Sequence, residues 1–128
     1  VTGEQPEGDE MANDVIFTGW GTVVRGREEQ ALTVFQETIQ FWTQAQQDGR
    51  IESFEPILLE PHGNGLAGFI LARGERSKLD AIRADEAYQR LVARAGAIID
   101  DLGVVGGYGD EALARQLGNF QQAARELG

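Results

Sequence analysis

Residues 50–73, RIESFEPILLEPHGNGLAGFILAR, decide the fold. Two apolar runs, Ile51–Glu60 and Leu66–Arg73, flank the turn-forming stretch Pro61-His62-Gly63-Asn64-Gly65. Short runs rich in Ile, Leu and Phe and bounded by Pro, Gly and Asn read as the two arms of a β-hairpin. Pro56 lies inside the first arm and has no amide hydrogen for a ladder bond, so that arm is expected at a sheet edge or at a bulge.

Working outward, Glu28–Asp48 carries Leu32, Phe35, Ile39 and Trp42 at spacings of three and four, the stripe of an amphipathic helix. Glu28 and Glu29 suit the positive end of its dipole, and Gly49 is the expected stop signal. Before that helix, Val15–Val24 reads as a strand, with Gly19 and Gly21 flanking Trp20. After the hairpin, Ser77-Lys78-Leu79-Asp80 fits a capping pattern and opens a second helical stretch. Its stripe slips at Ala84-Asp85-Glu86, where Asp85 is expected to cap a second piece. Leu102–Tyr108 reads as a glycine-rich fourth strand, and Glu111–Leu127 as a last amphipathic helix with Leu113, Leu117, Phe120 and Leu127 on one stripe. Residues 1–13 hold glycines, a proline and acids without apolar periodicity, and read as a flexible acidic tail ahead of a single α+β domain, 14–128.

The order is β-α-β-β-α-β plus a terminal helix, the split-βαβ plan of a ferredoxin-like fold. Right-handed crossovers put the helices on one face of a four-stranded antiparallel sheet. Such a sheet, wet on its other side, alternates apolar with polar residues. These strands do not: Phe54 and Leu58 oppose Ile57 and Leu59, Phe69 and Leu71 oppose Leu66 and Ile70, and Val105 opposes Val104. At ~25 cal/mol per Å2, leaving several such side chains in water forgoes several kcal/mol. The second face therefore needs a roof, either the terminal helix or a second copy of the chain. The helix is about 25 Å long and covers part of a sheet, which favours a homodimer through the sheet face.

Strand order, the turn Gly19-Trp20-Gly21 and the stretch GRIESFEPILLEPHGNGLAGFILARG followed by a broken helix resemble the dimeric α+β barrel superfamily over about residues 14–110. That group includes antibiotic-biosynthesis monooxygenase-like, EthD-like, YCII-like and muconolactone isomerase-like domains and many uncharacterised bacterial proteins. The resemblance implies a dimeric barrel; it carries over no catalytic residue.

Bulk composition narrows the partners. The 128 residues carry 21 acidic and 11 basic side chains, a net charge of −10. A surface so acidic repels phosphate backbones and anionic lipids, so neither nucleic acid nor membrane is expected. The chain has no cysteine and one histidine, which rules out within one chain both thiolate metal sites and multi-histidine ones. No cofactor is implied. The amino end lacks the charged and apolar regions of a secretory signal, which leaves a cytoplasmic address as the expectation.

Glu52, Glu60 and His62 share one strand parity unless Pro56 or Pro61 breaks the register, and Tyr108 ends the fourth strand. A carboxylate, an imidazole and a phenol can move protons on an enolisable substrate, so these four are the catalytic candidates. Trp20, Phe54, Phe69 and Arg73 are the ligand-binding candidates. Each also has a structural reading: edge charges for the glutamates, a turn for His62, core or dimer contacts for the rings, and a cross-hairpin ion pair for Arg73. Asp100-Asp101 reads as a solvated turn, and Gly103–Gly107 lacks the lysine and spacing of a phosphate loop. Two functions follow. One is a homodimer binding a compact apolar or aromatic metabolite, with cofactor-free oxygenase or isomerase chemistry. The other is a non-enzymatic structural or interaction subunit. A cavity with polar groups converging on it favours the first, and a filled core with a bare terminal helix favours the second.

Overall fold

Pro56 sits in the kind of strand that tolerates a missing amide hydrogen. The computed structural model describes residues 13–128. It contains β1 (Asp14–Trp20), α1 (Glu28–Gln47), β2 (Ser53–Leu58), β3 (Gly68–Gly74), α2 (Arg76–Ala84), α3 (Glu86–Ile98), β4 (Gly103–Gly107) and α4 (Asp110–Leu127). The strands form one antiparallel sheet in the order β2-β3-β1-β4, which places Pro56 on an edge strand opposite Ile70. The expected acidic tail lies outside the described residues, apart from Asn13, which is buried against the sheet end.

The barrel expectation is overturned. The sheet is an open layer, β2 and β4 each bonding a single neighbour. About eight strands are needed before a closed sheet encloses a fillable interior. Here there are four, with edges six and five residues long. The ferredoxin-like part of the reading stands: βαββαβ order, antiparallel pairing and helices packed on one face.

That packing follows from strand parity. Ile16 of β1, with Ile70 and Ala72 of β3, points to the helix side. There Trp42 and Ala45 of α1, Leu79 and Ile82 of α2, and Tyr88 of α3 close over them, and Ile51 joins the same core. Phe41, Trp42 and Tyr88 interlock with ring centroids 5.3–5.8 Å apart, a geometry worth about 0.5–1.5 kcal/mol per pair beyond area burial. A second cluster, Ala31, Val34, Leu91 and Ile98, fastens α1 to α3.

Local signals set the boundaries. Gly49 at φ 75° ends α1: its amide donates to Gln46 O and that of Arg50 to Ala45 O, the two bonds of a Schellman motif, which a side chain at this φ would strain. The break between α2 and α3 falls where the apolar stripe slips. Asp85 is extended there and accepts from the Ala87 amide at 2.9 Å. The Ala87 bond, followed by the Arg50 guanidinium, holds the Asp85 carboxyl below the usual carboxylate range. The Ser77 cap is corrected: α2 begins at Arg76 behind an extended Glu75, and Ser77 Oγ donates to Glu75 Oε1 instead. The first strand stops at Trp20, four residues short of Val24, because Gly21 turns away to donate to Asp100 O; Val23 keeps a single bridge to Ile99.

The other sheet face carries Val15, Phe17, Ile57, Phe69, Leu71 and Val105. Phe17 and Phe69 stack at 5.3 Å, and Val105 is 56% exposed. Within the described residues α4 does not roof it, since Ala112 is the only buried residue of that helix. Among the described residues the helix is tied down at its start. Asp14 takes the Arg76 Nε–H at 2.8 Å and the Gly109 amide at 3.4 Å, and Asp110 accepts from the Asn13 amide.

Candidate functional site

Between α1 and the sheet, near the end of β1, lies a cavity of about 600 Å3. Its floor is Thr18, Trp20 and Ile70; its roof is Ala31, Val34, Phe35 and Thr38 of α1; Val23 and Ile99 close one side. Leu32 and Leu58 stand at its mouth, 64% and 72% exposed. Leu32 was expected in the buried helix stripe. It is not buried because the cavity separates this first part of α1 from the sheet, whereas Trp42, three turns on, is in full contact.

Trp20 is held in place by the backbone beneath it. Gly68 is its partner across β1 and β3, and a side chain there would meet the indole ring at 2.7 Å. The indole then meets Phe35 edge to face at 6.0 Å. Polar groups around the cavity are few. The Thr38 hydroxyl donates to Val34 O at 2.8 Å. Glu28 accepts the Gly26 amide at the start of α1. Thr18 makes no side-chain hydrogen bond among the described residues. Behind it stands Tyr88, 5% exposed, whose hydroxyl faces Thr18 and completes no hydrogen bond among the described residues. Burial, the largest influence, pushes this phenol above its ordinary range.

Of the eight residues singled out from the sequence, only Trp20 lines this cavity. Phe54 points to the helix side and packs on the main core. Phe69 and Arg73 point to the opposite face, beside Ile57 and Ser53. Glu60 and His62 lie in the exposed connection between β2 and β3, the imidazole Nδ1 2.9 Å from Glu60 O and Nε2 2.9 Å from Asn64 Oδ1. Glu52 is exposed ahead of β2, its amide bonded to Arg73 O. The cross-hairpin ion pair expected of Arg73 is not among those of the described residues. Tyr108 is half-exposed, its ring 5.1 Å below the Arg76 guanidinium. The four catalytic candidates thus do not converge. Thr18, Phe35 and Thr38 were not among the site candidates: Phe35 was read only as part of the apolar stripe of α1, and nothing in the sequence says that Thr18 and Thr38 line one cavity.

Among the described residues no helix is long and apolar enough to cross a membrane. No cluster of three His, Cys, Asp or Glu side chains is placed to hold a metal ion among them.

No protein-family model matches the chain, and no curated protein matches it. Among solved structures it is similar to a dimeric protein of unknown function and ferredoxin-like fold from Bacteroides fragilis. The identity is 8% and the TM-score 0.58, over 78% of this chain and 99% of that one. At that identity the likeness carries the fold and nothing finer. The chain has a ferredoxin-like fold, shared with an uncharacterised bacterial protein.

Proposed function

We propose that the chain is a homodimeric binding protein for a compact apolar or aromatic small molecule, held in the cavity between α1 and the sheet. The observation that carries this reading is the cavity itself. Its volume of about 600 Å3 lies within the usual range for small-molecule sites, and its lining is apolar with a few polar points. The scattered positions of His62, Glu52, Glu60 and Tyr108 weigh against proton-transfer chemistry by those residues, so the proposed activity is binding.

The dimer answers the second apolar face. Four strands about 4.8 Å apart and six residues long present a patch roughly 20 Å square. That is smaller than the ~800 Å2 per partner of a stable interface. The exposed stripe of α4, with Leu113, Leu117, Phe120 and Leu127 all at least 46% exposed, supplies the remainder when a second copy covers both. That the Bacteroides fragilis protein of similar fold is dimeric supports a dimer here.

Titration with the neutral fluorophore phenylnaphthylamine tests the site. Saturable binding at one molecule per chain is expected, lost in Thr38→Phe, which fills the cavity, and kept in Phe69→Asp, which alters the opposite face. Binding that ignores Thr38→Phe, or no saturable binding, removes the proposal.

A further inference from the structure

We infer that the ligand of this cavity carries one neutral hydrogen-bond-accepting oxygen, such as the carbonyl of an aromatic or alicyclic ketone, seated on the Thr18 hydroxyl with Tyr88 as positioning residue behind it. This rests on the cavity reading above and names the ligand class.

One buried donor close to the cavity is unmatched among the described residues. Buried polar groups in folded proteins nearly always have a partner, and an unpaired hydroxyl costs about 1–3 kcal/mol. Tyr88 is buried on α3 among Phe41 and Trp42, and its hydroxyl is left over, facing Thr18. A threonine hydroxyl has one proton and two lone pairs. A ligand oxygen in the cavity that takes the Thr18 proton fixes that hydroxyl with a lone pair left for Tyr88, and so supplies the buried phenol with the partner it otherwise lacks. Thr38 cannot play this part, because its proton goes to Val34 O. Burial keeps Tyr88 protonated, hence a donor, throughout the neutral range. The oxygen it serves is neutral. An anion would be stripped of water among Trp20, Phe35 and Ile70, facing Glu28 and no lining cation, in a chain of net charge −10.

The test compares benzophenone with diphenylmethane, two ligands of one shape with and without the carbonyl, by displacement of phenylnaphthylamine. In the wild type the ketone-to-hydrocarbon affinity ratio is expected to exceed that of Thr18→Val and of Tyr88→Phe about five- to tenfold, the value of one neutral hydrogen bond. Hydrocarbon affinity should be unchanged, which a merely structural effect of Tyr88 would not leave so. Equal ratios in all three proteins overturn the proposal, and a drop in Thr18→Val alone overturns the role of Tyr88. Failure of both ligands to displace the probe condemns the cavity reading as well. The infrared carbonyl stretch of benzophenone bound to the wild type gives a reading that needs no variant. It should lie below its position in hydrocarbon solvent, and an unshifted band refutes the hydrogen bond.

Discussion

The two faces of this sheet are built from the same strands and similar residues, yet they have opposite fates. On the helix side Ile16, Ile70 and Ala72 are at most 1% exposed. On the other side Phe17, Phe69 and Leu71, their immediate neighbours along β1 and β3, remain partly in water. Residues on alternate sides of a strand differ only in parity, so the difference comes from what the chain supplies to cover them. Three helices are delivered to one side by the crossovers. The fourth, α4, starts at the far edge and, among the described residues, is anchored at its first turn. The bare face keeps an apolar patch partly in water, the surface that the proposed dimer would cover.

Substitutions matched across the sheet would break or sharpen this contrast. The largest effect is expected at the covered face. Trp42→Ala should cost about 3–5 kcal/mol, a large share of a typical ~5–15 kcal/mol stability; a urea midpoint near that of the wild type would show the core to be looser than described. Next comes Phe69→Asp on the bare face. It should leave the far-ultraviolet circular dichroism intact while raising the dimer dissociation constant at least a hundredfold in sedimentation. A dimer that survives would place the interface elsewhere.

Smaller effects come from titration. The Tyr88 hydroxyl has its folded-state pKa raised by burial, so the stability it contributes is whole below the unfolded value near 10 and is lost as pH rises through the folded value. Alkaline unfolding should therefore begin at higher pH in Tyr88→Phe than in the wild type; identical alkaline profiles would show that the phenol ionises freely. Asp85 has the opposite sign. Its folded-state pKa is lowered, so its contribution is present above the unfolded value near 3.9 and fades as pH falls through the folded one. Asp85→Asn should be slightly less stable than the wild type at neutral pH and converge with it in acid. A constant difference across that range would assign the effect to something other than the carboxylate.

Much of this fold was legible in the residues. Pro56 marked an edge strand because no sequence context restores its missing amide hydrogen. Gly49 and Asp85 marked helix ends because their backbone geometry or side-chain acceptor is local. The doubly apolar strands announced a second apolar face, since parity alone assigns residues to sides. What stayed hidden were quantities that depend on distance between elements. Leu32 fits the helix stripe as well as Trp42 does, and only the gap between α1 and the sheet separates an exposed rim residue from a core one. Likewise Ser77 had the spacing of a cap, but Glu75 takes the cap position two residues earlier.

The sequence by itself determined the order of elements, their edges and the surplus of apolar surface, because those follow from dihedral preferences and from periodicity. Tertiary structure alone decided that the sheet stays open, that Thr18 and Tyr88 meet beneath a cavity, and that His62, Glu52, Glu60 and Tyr108 lie apart. Those outcomes turn on where packed helices come to rest, which neighbours along the chain do not encode.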